Sequence, residues 1–470
     1  MPKKNDIIKL NIDALSTDGA GIGRDEDGKA VFVPNSALGD CLEVRIIKVT
    51  KNYSVGRIEK VIKEGNGRCN PACSDCTVCG GCNFWHVDYE TELSYKTRYV
   101  SDNLRKIGKT DTPVSPAAAS PETEGYRNKV IYPVRENKNG EIAFGFFASR
   151  SHRLIEPENC LIEPKIFSEI AEETINFMRK NRVPAYNEET GTGVLRNIYL
   201  RKTADGKVML CLVLNRDFAE KEDFSSYITE RFSQIETVVL NFNNKNTNVV
   251  LGEKYETVYG EGYLEDTLCG LKIRISPASF YQINRNQAER LYNKAAEVAS
   301  LHGDEVLIDL YCGTGTIGLT FASKVKKVFG VEIVPEAIEN AKENARINGI
   351  ENAEFFCGDA AEGTKYLKNK GIKPDVVVVD PPRKGCGEAT LKTINDMNPE
   401  KIVYISCDSA TFARDIAILK EYGYEPGTVY PFDMFPRTAH IETIVCLSRE
   451  KADDYIRISV HTKDLQTKAN

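Results

Sequence analysis

Apolar and polar positions follow several distinct rhythms along the chain. Between residues 7 and 62, short apolar runs (IIKLNIDAL, VFVP, CLEVRIIKV, SVGRIEKVI) alternate with Gly/Asp turn signals such as DGAGIGRDEDGKA. Strands of this length and spacing predict a small five-stranded barrel of the OB type. A helical stretch follows through TELSYKTRYVSDNLRKIGK, and the Pro/Ala-rich TPVSPAAASP stops it. Residues 126–275 read as mixed and mostly β, with hairpin signals at Asn139-Gly140 and Asp205-Gly206. Leu291 to Ser300 reads as helix. From Glu305 the rhythm becomes strand, helix, strand through EVLIDL, KKVFGVEI, AEFFCGD, DVVVVD, KIVYISC and TAHIETIVCLSR. The VVVV run is apolar on both faces, as a parallel strand covered by helices requires. This part predicts a doubly wound, Rossmann-like α/β domain whose ligands bind outside the carboxyl ends of the strands. No repeat or low-complexity tract interrupts the pattern, and the polar tail from about Glu450 predicts no element.

Length makes the chain multi-domain: 470 residues exceed one compact core and suggest roughly three domains. A composition 41% hydrophobic and 28% charged is that of ordinary globular protein. The formal net charge of −6 excludes a polyanion partner bound through overall basicity, so a nucleic-acid site must come from local clustering. One cluster exists: Arg45, Lys48, Lys51, Arg57, Lys60, Lys63 and Arg68 stand against Glu59 and Glu64, with Tyr53 among them. A basic strand surface with an interleaved aromatic suits RNA, and a solvated barrel face explains it equally well. No run of about 18 apolar residues occurs and the N-terminus lacks an apolar core, so a cytoplasmic protein without membrane contact is expected.

Candidate chemistry begins with Gly313, Gly315 and Gly318, which satisfy G-x-G-x-x-G, a pattern that cradles a dinucleotide pyrophosphate. Taken alone it suggests a nicotinamide- or flavin-dependent oxidoreductase. Asp309, before the glycines, instead suits binding of loop amides or of a cationic small molecule such as S-adenosylmethionine. Glu332 ends the second strand, where a carboxylate accepts ribose hydroxyls in either class. Asp359 and Asp380 end further strands, so four acids are expected along one sheet edge, which favours the cationic cofactor. Cys407 ends KIVYISC, facing the ligand crevice as a candidate nucleophile. Five of the 14 cysteines (Cys69, Cys73, Cys76, Cys79, Cys82) fall in one short stretch, which reads as a metal site rather than disulfides. Spacing alone leaves a radical-type C-x3-C-x2-C, a zinc ladder and a C-x5-C-G-G-C pattern open.

FYQIN (280–284), DLYCGTG (309–315), DPPRKG (380–385), SCDSATFARD (406–415) and HIET (440–443) together resemble the RNA uracil-5-methyltransferases of the RumA/TrmA type, in that family's order. The resemblance is strongest to the RumA-like 23S ribosomal RNA enzymes, and it implies an N-terminal TRAM barrel (residues 1–62). It also implies a central iron–sulfur domain (63–90 and 120–275), a methyltransferase domain (91–119 and 276–450) and a tail (451–470). It implies Cys407 as nucleophile and Glu442 as base, with burial raising the glutamate's pKa. Gln282, Tyr311, Thr316, Glu332, Asp359 and Asp380 are implied contacts to S-adenosylmethionine; the family often has Asn where this chain has Thr316. Cys73, Cys79, Cys82 and the distant Cys160 are the implied ligands of a 4Fe-4S cluster, with Cys69 and Cys76 outside the pattern. The implied substrate is large-subunit ribosomal RNA, with transfer RNA as the alternative, and the implied enzyme is a monomer.

Overall fold

The computed structural model describes residues 2–149 and 151–449; the tail 451–470 lies outside the described residues. The N-terminal barrel follows the strand order Ile7–Asn11, Cys41–Val49, Tyr53–Lys63, Ala30–Val33, Gly21–Arg24, Ala14–Leu15. It has six strands rather than five, because Ala14–Leu15 pairs with Gly21–Arg24. A two-residue strand is too short to show alternation, so the pattern of residues could not announce it. Leu10, Val31, Val33, Leu42, Val44 and Ile46 fill the barrel.

The central domain is built on a six-stranded sheet ordered Lys254–Tyr259, Ile235–Phe242, Val208–Leu214, Leu195–Lys202, Lys129–Glu136, Ile142–Phe144. Both hairpins form where the Asn-Gly and Asp-Gly pairs fall, with Gly140 at φ 76° and Gly206 at φ 94°. The parallel pair Val208–Leu214 with Ile235–Phe242 is bridged by the helix Lys221–Arg231. That helix and Lys165–Lys180 cover one face, sharing a core with Tyr132, Ile198, Leu210 and Leu240. The other face carries Tyr199, Met209, Cys211 and Val239 against Leu264, toward the C-terminal domain.

The C-terminal domain is a sheet ordered Ala353–Cys357, Lys327–Glu332, Val306–Leu310, Val376–Val379, Lys401–Ser406, Glu442–Arg449, Tyr424–Pro426. The first five strands are parallel and Glu442–Arg449 runs against them. The order reverses between Val306–Leu310 and Val376–Val379, and loops leaving a reversal point diverge to open a ligand crevice. All four residues of Val376–Val379 are buried, as a strand covered on both faces must be.

Residues far earlier in sequence complete this domain. The helix Tyr89–Lys106 starts at Asp88, whose side chain accepts from the Thr91 amide, and buries Val100 and Leu104 with Phe412, Ile416 and Leu419. The proline-rich segment after it pairs at Val114 with Val429 and at Ala118 with Phe432. Lys96, 2% exposed, donates to Glu92 at 2.7 Å and to Asp433 at 2.6 Å, while Tyr89 donates to the second oxygen of Asp433 at 2.8 Å. Buried charges stay only when so fully satisfied. This network fixes the helix to the segment leading into Glu442–Arg449.

Candidate active site

The glycine loop leaves Val306–Leu310 and opens the helix Thr316–Phe321 through Gly315, at φ 79°. A Cβ at Gly318 would stand 2.9 Å from Asp309 Oδ2, which accepts the Gly318 amide at 2.8 Å. The third glycine therefore serves the close packing of helix on strand, and the Asp309 carboxylate fills the space. Asp309 is fully buried, and burial, then Asp380 and Glu332, push its pKa up to about 7 against the pull of the Gly318 amide. Four acids lining the crevice is thus an overcount: Asp309 faces the loop, and three acids end on the edge. At Gly313, φ 54°, nothing lies within 4 Å of where a Cβ would stand. The loop is open there to a ligand.

The three edge acids differ in exposure. Glu332 accepts the Gly313 amide at 3.1 Å and the Val334 amide at 3.0 Å, and the neighbouring Ile333 and Val334 are exposed. Asp359, exposed, caps the helix Ala360–Asn369 through the Ala361 amide at 2.9 Å. Asp380 follows Val376–Val379 directly, and burial pushes its pKa up to about 6. Thr316 heads the helix with its hydroxyl 3.2 Å from that of Thr314. Tyr311, at φ 63°, places its hydroxyl among Cys386 and Thr390. Gln282 is buried on the loop between Leu271–Ile275 and Arg285–Ala299, where Asn128 donates to its carbonyl at 2.8 Å.

Strand register brings the two reactive candidates together. Lys401–Ser406 and Glu442–Arg449 are antiparallel with Ser406 opposite Thr443, so Cys407 and Glu442 are the next residues facing each other across the pair. Asp380 ends the adjacent parallel strand. Burial first, then Glu442 and Asp380, push the Cys407 thiol up to about 12, and the Arg383 guanidinium opposes them. Glu442 is 5% exposed; burial and then Asp380 raise its carboxyl to about 8, again opposed by Arg383. A cysteine thiol, two acids of graded proton affinity and one guanidinium thus share one small volume, a clustering that marks reactive sites. Two members were missed in the sequence. Arg383 lies inside DPPRKG and could have been found as the cation following an edge acid. Tyr292, 3% exposed and beside Gln282, Asp380 and Glu442, reads as core on an amphipathic helix and gives no signal.

A second site gathers the cysteines. Cys73, Cys76, Cys79, Cys82 and Cys160 line one cavity of about 80 Å³, with Trp85 and Arg127 at its wall. Cys69 is exposed outside it. Burial raises the thiols that line it, Cys82 to about 11, and neighbouring sulfurs raise Cys76, Cys79, Cys82 and Cys160 further. All are free thiols. Among the described residues no group of three or more His, Cys, Asp or Glu side chains stands at metal-holding geometry. Gly80 runs so close to Ser149 that a Cβ would lie 3.0 Å from its backbone, which lets the chain turn between Cys79 and Cys82.

On the barrel the basic cluster is smaller than its residue count. Glu59 pairs with Arg45 at 2.8 Å and Arg57 at 2.9 Å, and Arg68 pairs with buried Asp40 at 2.7 Å. Among the described residues Lys48, Lys51, Lys60 and Lys63 have no acidic partner, and they stand beside Tyr53, which is 38% exposed and packs edge-on against Phe32.

Comparison with known proteins bears on the reactive cleft and on the barrel. The tRNA (uracil-5-)-methyltransferase family profile matches residues 88–450, and the TRAM domain profile matches residues 3–58. Proteins described as RNA methyltransferases in Clostridium acetobutylicum and Halalkalibacterium halodurans are 43% and 41% identical, over 95% and 94% of this chain and 98% and 97% of theirs. The tRNA (uracil-54, C5)-methyltransferase of Pyrococcus abyssi, solved in complex with S-adenosyl-L-homocysteine, is similar with a TM-score of 0.75. It is 28% identical and covers 93% of this chain and 99% of its own.

Proposed function

Because the chain belongs to the tRNA (uracil-5-)-methyltransferase family and carries a TRAM domain before it, we propose that it methylates carbon 5 of a uridine in RNA through a covalent bond from Cys407. The observation that carries this reading is the register that sets Cys407 against Glu442 beside Asp380. Carbon 5 of uracil is a weak nucleophile, and sulfur adding to carbon 6 moves electron density onto it. S-adenosylmethionine supplies the electrophilic methyl group when bound. Glu332, Asp359, Asp380, Gln282, Thr316 and Tyr311 are proposed to hold it, and the open space at Gly313 and the exposed Ile333 and Val334 beside Glu332 fit a ligand there.

Cys407 loses its proton to a neighbouring carboxylate as sulfur bonds carbon 6. Glu442 takes the proton from carbon 5 after methylation, the electron pair re-forms the ring double bond, and the sulfur–carbon 6 bond breaks. Buried carboxylates of raised pKa suit both transfers near neutral pH. The base reaches Cys407 only out of its stack, so a flipped or unpaired uridine is implied.

The cysteine cavity is proposed to hold a 4Fe-4S cluster on Cys73, Cys79, Cys82 and Cys160. Soft, mutually repelling thiols around a small apolar space are a donor set that iron binding deprotonates and relieves. Methyl transfer needs no electron, so its role is structural. Anaerobically purified protein is expected to contain iron and acid-labile sulfide, and protein lacking both would remove the cluster from this reading.

Large-subunit ribosomal RNA is the proposed substrate. The Pyrococcus abyssi enzyme, named for tRNA, spans 93% of this chain, so tRNA is the second arm of one test. In cells lacking the protein, 5-methyluridine is expected to disappear from ribosomal RNA. Loss from tRNA alone would move the assignment, and loss from neither would remove the function.

A further inference from the structure

Lys129 and Arg201 stand directly opposite each other on Lys129–Glu136 and Leu195–Lys202 of the central sheet. Cross-strand partners share a face, and like charges placed so are destabilising. Among the described residues neither forms an ion pair. Arg201 is 1% exposed, and its Nε and Nη1 have no hydrogen-bond partner; only Nη2 is used, on the Ser279 carbonyl at 3.1 Å. Arg127, two residues before Lys129, also has a buried, unpartnered Nε. Burial, then the charges of Arg201 and Arg127, pull the Lys129 ammonium down to about 8. Two acids close to this group are committed elsewhere. Glu163 takes the Tyr132 hydroxyl, and Asp266 takes the Tyr281 hydroxyl at 2.9 Å and the Ala204 amide at 3.0 Å.

This concentration of positive charge, faced by the Tyr199 ring 5.7 Å from the Arg201 guanidinium and, among the described residues, paired with no carboxylate at Lys129 or Arg201, adjoins the reactive cleft. Arg201 holds Ser279, and Asn128, between Arg127 and Lys129, holds Gln282 on the same loop. The charge of Arg127 also reaches His440, which lies 3.3 Å from Arg383. A nucleotide whose base enters at Cys407 brings its flanking phosphates with it, and oriented N–H groups without partners are what a phosphate oxygen requires. We propose that Lys129 and Arg201, flanked by Arg127, form a cradle that grips a backbone phosphodiester of the RNA strand beside the target uridine. The cradle rests on the RNA-methylating reading above and assigns the part of the central domain that positions the substrate.

Lys129→Met and Arg201→Met, singly and combined, test it through the anisotropy of a fluorescein-labelled, uridine-rich single-stranded RNA across a salt series. Each lost phosphate contact is expected to flatten log K against log salt by about 0.7. The double variant is expected to bind RNA at least ~10-fold more weakly at low salt, with S-adenosylmethionine affinity kept and Tm equal or higher, since the charges oppose each other in the free protein. Arg201→Lys should recover part of the slope. Wild-type slopes in the variants, or a lower Tm with an unchanged slope, overturn the cradle. Inorganic phosphate that raises wild-type Tm while variant RNA slopes stay unchanged assigns the site to a free anion and overturns the RNA assignment. Capture of 5-fluorouridine RNA on wild-type Cys407 is measured alongside; its absence counts against the methylating reading and leaves the salt slopes to decide the cradle.

Discussion

Cys407→Ala is expected to lower methyl transfer by about 10⁴-fold or more, because removing a nucleophile ends the covalent route rather than weakening it. S-adenosylmethionine binding should stay within roughly threefold, since the proposed cofactor contacts lie on other strands and loops. Cys407→Ser should recover little, because an alcohol adds to and leaves an activated ring less readily than sulfur. A variant retaining activity within tenfold of the wild type would remove the covalent mechanism. The pH dependence carries a second check. At pH 7 Asp380, with a pKa of about 6, is mostly ionised, while Glu442 at about 8 and the thiol at about 12 hold their protons in the free protein. The reaction needs one more proton removed from this set, so kcat/KM is expected to rise with pH toward about 8 and level beyond it. A profile flat from pH 6 to 9 would show that the set does not limit the reaction.

The individual edge residues were legible because each stands where a strand pattern stops: Glu332, Asp359, Asp380 and Cys407 all follow apolar runs. Their grouping was only half legible. Nothing in IETIVCLSR says that the strand runs antiparallel beside KIVYIS, yet that direction sets Glu442 against Cys407. A parallel strand would have sent its first residue to the opposite edge. Tyr292 and Lys96 were silent for a different reason: a polar side chain buried on an amphipathic helix looks in sequence like an ordinary interruption of the apolar stripe. The third glycine was misleading in the other direction, since it serves the packing of the helix on its strand over the Asp309 carboxylate and does not mark a pyrophosphate site. The cysteines were readable as a cluster. The structure adds that Cys76 shares the cavity and that Cys69 lies outside it, a division that spacing could not make.

Glu442→Gln separates bond formation from bond release. Glutamine keeps the shape of the side chain and accepts no proton, so sulfur addition and methylation proceed while the carbon-5 proton stays in place. Turnover is expected to fall by roughly 10²–10⁴-fold, with methylated RNA accumulating on Cys407 as a band that survives denaturing electrophoresis. Loss of turnover without that band would take the base role away from Glu442. Stability reads the same residue independently of activity. Burial raises its carboxyl from 4.5 to about 8, so between those values the folded protein holds a proton that the unfolded chain releases. Stability from this group is therefore full below about pH 4.5 and falls as pH rises through about 8. The loss approaches an upper bound on the order of 5 kcal/mol above that. The glutamine amide in Glu442→Gln has no such proton to lose. The variant should match the wild type near pH 5 and exceed its Tm by several degrees near pH 9, and a wild-type Tm unchanged relative to the variant across that range would show that the carboxyl is not held neutral.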